Sequence, residues 1–312
     1  MTWFEGIPRF AFAAALVCLC TSCTSPGPAP RTERGDVVAR QASSAATLAY
    51  EQGNFGQAQK LFRLALTRAQ TINDAALAAD AAYNLAMCEI RLGDYDTAAR
   101  LLRQAYYDAV RASSNTADIQ LVRAKVAFLR TRPSQARALL DEIAASNAAQ
   151  SIRLQAIILR GQIAGDAGDL DAANAELRAA QGLVASSRLV LSASIGADLA
   201  KLAGTVSRLE GKADVAARIF DDEAELLRNA QRYRDMAHAL ARAAQAYRAS
   251  GELALAADRF FLAARSLEGH GDTQAARALL ASSVSAAEGA ADEDARARAK
   301  SLLEAISRRH AP

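Results

Sequence analysis

Proline, cysteine and aromatic residues are scarce in this 312-residue chain, and their few positions are telling. Of six prolines, four precede residue 31, one is the last residue, and Pro133 alone stands in the interior. Aromatics make up only 5% of the chain, and the apolar half is mostly Ala and Leu rather than the branched and aromatic residues that strands favour. This excludes an all-β sandwich or barrel. What is abundant is alanine, 77 residues, the strongest helix former because it loses no side-chain entropy on entering a helix. The composition therefore predicts an all-α fold. A single globular core of this length would ordinarily split into two domains, a limit that a repeat array escapes.

Charge excludes a further class. Lys and Arg total 37 against 34 Asp and Glu. A net charge of +3 without a basic cluster is no footprint for nucleic acid. Cysteine is confined as well: Cys18, Cys20 and Cys23 lie at the N-terminus, and Cys88 stands alone, so no disulfide framework is possible in the folded part.

Residues 1–22 read as an export signal. Arg9 is followed by an apolar run from Phe10 to Cys20, too short for a bilayer span of about 20 residues. The run Cys20-Thr21-Ser22-Cys23 resembles the lipobox of bacterial lipoproteins, with Cys20 where Leu is usual. That resemblance implies a lipid-modified Cys23 and, with Thr24 after it, an outer-membrane lipoprotein facing the periplasm. An ordinary secretory signal cut nearby, or an N-terminal anchor helix, is the alternative. Residues 23–38 then form a spacer, because the Pro-rich stretch Thr24–Pro30 favours extended chain without a core.

From residue 39 to 290 one pattern recurs: a small residue, a turn Gly seven later, an Ala five beyond it, then a bulky residue and a further apolar one. The first copy is Ala46, Gly53, Phe55, Ala58, Phe62, Ala65; the second is Ala86, Gly93, Tyr95, Ala98, Leu102, Ala105. Later copies centre on Ala136, Ala173, Ala216 and Ala256, with Thr131 replacing the turn Gly in the third and Glu223 interrupting the fifth. A partial seventh copy keeps Gly271, Ala276 and Leu280. The bulky residue four after each Ala returns to the same helix face, and each unit leaves an apolar face that only stacking can cover. These residues resemble the tetratricopeptide repeat (TPR), whose nominal period is about 34 residues. Here the successive alanines are 40, 38, 37, 43 and 40 apart, an extended variant carried by an extra helical turn or by longer loops. The resemblance implies a TPR-like α-solenoid of six to seven helix-turn-helix repeats. Residues 291–312 read as a capping helix and tail, with Asp292–Arg296 and Asp294–Arg298 as i,i+4 pairs.

No catalytic constellation and no cofactor or metal site is expected. His238, His270 and His310 are far apart, and no pair of histidines has the i,i+4 spacing of a helical metal motif. The glycines at 161, 165 and 168 occupy repeat positions and follow no strand, and Cys88 reads as a buried small hydrophobe. In the TPR family the first helix of each repeat lines a groove for a peptide or helix. The resemblance therefore implies partner-binding roles for Tyr50, Tyr83, Asn84, Met87, Arg91, Lys125 and Phe128, with Thr47, Leu121, Gln162 and Lys201 on the same helices. Asn84 falls where peptide-binding repeats often place an amide that contacts ligand backbone, although its matching positions are Ser44 and Val122 and a packing role serves equally. Tyr83 and Phe128 are open to the same alternative. The expected function is a membrane-anchored scaffold that binds a protein or peptide of the cell envelope and acts on no small-molecule substrate. A regulatory module, activating a peptidoglycan enzyme or capturing a signalling peptide, is the second reading.

Overall fold

The computed structural model describes residues 32–309. The signal segment, Cys23 and His310 lie outside the described residues. Fourteen α-helices follow one another, and among the described residues there is no strand. They fall into seven consecutive pairs: α1 (Thr32–Glu51) with α2 (Phe55–Thr71), α3 (Ala75–Leu92) with α4 (Tyr95–Arg111), and α5 (Ala117–Leu129) with α6 (Pro133–Ala145). Then come α7 (Gln150–Asp166) with α8 (Leu170–Ser187), α9 (Ala193–Leu209) with α10 (Ala213–Asn229), α11 (Tyr233–Ser250) with α12 (Leu253–Gly269), and α13 (Thr273–Gly289) with α14 (Glu293–Arg309). α1 begins inside the segment that the sequence reads as spacer.

Local chemistry sets the boundaries. Asn54, Asp74, Asp94 and Asp169 each accept a hydrogen bond from the third backbone N–H of the helix they precede, satisfying a group the helix leaves open. α3 ends where Gly93 adopts φ +85°, a conformation that a side chain strains. Helix length rather than long loops carries the 40-residue spacing: α2, α3 and α4 have 17, 18 and 17 residues joined by tight turns. The third repeat is the short one, with 13 residues in each helix and Pro133 starting the second.

The recurring alanines are the contact points. Ala58, Ala98, Ala136, Ala173, Ala216, Ala256 and Ala276 are all 0% exposed. The bulky residues four later, from Phe62 to Leu280, are buried as well; each contributes about 1.5–3 kcal/mol by leaving water. The apolar core is a succession of clusters, each spanning neighbouring repeats, as a quasi-one-dimensional array requires. Helices of like parity also touch one another, α5 with α7 and α7 with α9 more extensively than α1 with α3 or α12 with α14, so the odd-numbered helices pack together along the middle of the array.

Three local readings change. Gly271 belongs to the turn between α12 and α13, so Ala276 and Leu280 lie on the first helix of the last pair rather than its second. Asp292 caps α14 by accepting from the Ala295 N–H, while Arg296 pairs with Glu293 and Glu288. Arg298 stacks over the Phe261 ring at 5.5 Å. Leu121 is 3% exposed and packs in the core instead of facing the groove.

Candidate functional site

Three of the expected groove residues gather at the N-terminal end of the odd-helix face. Tyr50 closes α1, and its ring meets Phe55, the first residue of α2, edge-on at 5.2 Å. Arg91 of α3 lies over the Phe55 ring, its guanidinium carbon 5.0 Å from the centroid, a cation–π contact. Burial pushes the Tyr50 phenol pKa up, and the Arg91 charge opposes that rise. Tyr83, also on α3, is raised by burial first and then by the carboxylate of Asp118 on α5 and by Tyr50. α1, α3 and α5 therefore converge here on one half-buried surface holding two phenols, one ring and one cation. Phe55 was missed by counting along first helices alone, because it enters from the second.

The other expected residues behave differently. Asn84 donates its side-chain amide to the Asp80 carbonyl of its own helix at 3.0 Å, leaving its amide oxygen for another partner. Met87 is half-buried on the same helix. Lys125 is drawn into a second, polar centre, where it donates to the Gln155 side chain on α7 at 3.1 Å. Burial pushes the Lys125 pKa down, with Asp198 opposing and Arg232 reinforcing the shift. Arg232, at the start of α11, donates to Ser194 at 2.8 Å and to Asp235 at 2.9 Å, and lies 3.5 Å from Asp198. Burial disfavours its charge, yet Asp198 and Asp235 outweigh that and hold it above the ordinary range. Gln162 donates to the Asp198 backbone carbonyl at 3.0 Å, tying α7 to α9. The inner face thus carries aromatic chemistry at one end and a cross-linked charge network at its middle.

Phe128 joins neither centre. It lines a separate 630 Å³ cleft between the α5–α6 turn and the end of α7, with Leu129, Pro133, Arg137 and Ile163. Next to the polar centre, Glu223 fills the position where the repeat wants an apolar residue. It is 3% exposed and accepts from Arg242 of α11 at 2.5 Å.

Among the described residues no group of three His, Cys, Asp or Glu could hold a metal ion. Cys88 is fully buried, and burial followed by the neighbouring Glu89 pushes its thiol up to about 11. Among the described residues, no helix is long and apolar enough to cross a membrane.

Comparison with known proteins places the fold. Residues 39–106, from α1 through α4, match the tetratricopeptide repeat family model. No curated protein matches the chain in sequence. The apo form of the quorum sensor NprR from B. thuringiensis is 11% identical over 87% of this chain and 77% of its own, with a TM-score of 0.63. A Rap protein complexed with Competence and Sporulation Factor is 15% identical over 88% of this chain and 76% of its own, with a TM-score of 0.57. The described chain has the fold of a tetratricopeptide-repeat α-solenoid, and its first two helix pairs carry the sequence pattern of that repeat.

Proposed function

We propose that this protein is a membrane-anchored interaction scaffold of the bacterial cell envelope, which holds an extended peptide or a partner protein on its odd-helix face. The observation that carries this reading is the Tyr50–Phe55–Arg91 stack beside Tyr83. Trp, Tyr and Arg side chains are enriched at binding hot spots, where they fill well-packed positions from which water is excluded. Tyr50, Phe55 and Tyr83 are half-buried and Arg91 is exposed, so the cluster keeps surface that a partner can cover. The anchor rests on the lipobox-like run ending at Cys23 and on the Pro-rich stretch after it.

A second reading has its own support. The two solved structures compared above are a quorum sensor and a Rap protein complexed with Competence and Sporulation Factor, and capture of a signalling peptide on a solenoid of the same fold is the second reading. Size and stoichiometry of the captured partner separate the two, since a machinery component co-purifies as a protein and a signal as a short peptide. The test of the shared claim is the double substitution Tyr83→Ala with Arg91→Ala. Partner recovery in affinity purification should fall to background, and undiminished recovery of every partner overturns the reading. Substituting Cys23→Ala should release the chain into the periplasmic fraction; retained lipid label contradicts Cys23 as the acceptor.

A further inference from the structure

Where α4, α5 and α6 meet, the fold carries a feature that peptide capture in the groove does not use. Between α4, α5 and α6 lies a cleft of 140 Å³ lined by Arg103, Arg123, Arg130 and Arg132, together with Gln135 and the apolar floor residue Leu139. No carboxylate lines it. Of the acidic residues on the flanking helices, Asp108 pairs with Arg111, Asp141 with Arg160 and Glu142 with Gln120, while Asp118 lies near Tyr83. Asp96 holds Arg130 at 2.5 Å from an 81% exposed position outside the lining. Arg123 is held by its donation to Gln120 at 2.7 Å and by stacking over Tyr106 at 4.8 Å. Arg103 and Arg132 have no carboxylate partner among the described residues.

Two further facts point the same way. Arg132 stands at the N-cap of α6 and makes no side-chain capping bond, and Pro133 follows it, so the positive end of the helix dipole adjoins the cleft without a side-chain acceptor. Between Arg130 and Arg132, Thr131 adopts φ +57°, a left-handed conformation costly for a β-branched residue. The same turn uses Gly53, Gly93, Gly168, Gly211 and Gly251 in other pairs. Among the within-pair turns only α13–α14, with Ala291 at φ +55°, likewise uses a residue other than glycine, and Thr131 differs in standing between two arginines of one cleft.

We propose that the α4–α6 cleft is a binding site for a phosphate-type oxyanion. Guanidinium forks meet phosphate oxygens in pairs, and such charge-assisted bonds are the strongest available to a side chain. A bound dianion also offsets the mutual repulsion of the four cations. The site is distinct from the inner-face groove, whose residues it does not share.

Isothermal titration of the full-length protein with inorganic phosphate, at ionic strength matched with chloride, tests this. The expected result is saturable one-to-one binding, weakened about tenfold by Arg103→Gln or Arg132→Gln and lost in the double variant. Thermal midpoints without phosphate should not change, since neither side chain makes an ion pair. Glycerophosphoglycerol, a soluble lipid headgroup, serves as the second probe. Tighter binding of phosphate places the source in solution or on a monoester; tighter, Arg-dependent binding of the headgroup places it in lipid. Absence of saturable binding by both probes, or binding indifferent to the double substitution, overturns the proposal.

Discussion

Gly204 on α9 lies flat against the ring of Phe220 on α10, so close that a β-carbon at Gly204 would fall 2.6 Å from the ring's Cε1. Gly161 stands in the same relation to Leu202, at 2.6 Å. These are the small positions of the repeat, and the backbone approach they allow is what the bulky residues fill.

The first prediction follows from that contact. Gly204→Ala should destabilise the solenoid by about 1–3 kcal/mol, because the ring must move in a packed core. Gly182, mid-way along α8 with nothing within 4 Å of its would-be β-carbon, should respond in the opposite sense. There Ala should stabilise by about 0.5–1 kcal/mol through helix propensity alone. Thermal denaturation of both variants checks the pair of signs.

Cys88 should be inert. With its thiol pushed up to about 11, almost none is thiolate at pH 8. Iodoacetamide at pH 8 should leave Cys88 unlabelled in the folded protein and label it fully in denaturant. Mass spectrometry of the Cys88 peptide reads the outcome; rapid native labelling would show that the α3 core opens.

Glu223 gives a pH dependence with a definite sign. Burial raises its pKa above the ordinary carboxylate value of 4.5, and the Arg242 charge opposes the shift without cancelling it. The folded state therefore holds the proton more tightly than the unfolded one. This contribution is fully present below the unfolded pKa and is lost as pH rises through the higher folded pKa. Relative to Glu223→Gln, the wild-type protein should lose stability between the ordinary carboxylate range and neutral pH. Urea unfolding of both proteins at pH 4 and pH 7 tests this, and a difference that stays constant with pH would contradict it.

The sequence carried the array well because the repeat writes its contacts at fixed offsets. Ala58, Ala98 and Ala136 could be named as helix contacts from spacing, and each is fully buried. Glu223 stood out for the same reason, as a charged residue at an apolar offset. The inner face was harder to read. Arg232 and Asp198 are 34 residues apart and belong to different repeats, so their meeting depends on the superhelical course, which no local period encodes. Phe128 and Leu121 sit at groove-like offsets, yet the short helices of the third repeat turn one to an edge cleft and the other into the core. Phe55 is legible as a repeat position but not as a groove residue, because it reaches the aromatic cluster from the start of a second helix.

The central claim, that the odd-helix face holds the partner, is tested most directly by site-specific photo-crosslinking. Tyr83 on the inner face and Tyr107, 66% exposed on the even-numbered helix α4, are both aromatic and accept p-benzoylphenylalanine with little change of shape. Illumination of intact cells should yield a discrete crosslinked species from position 83 and none from position 107. A crosslink from position 107 alone would place the partner on the opposite face and contradict the account.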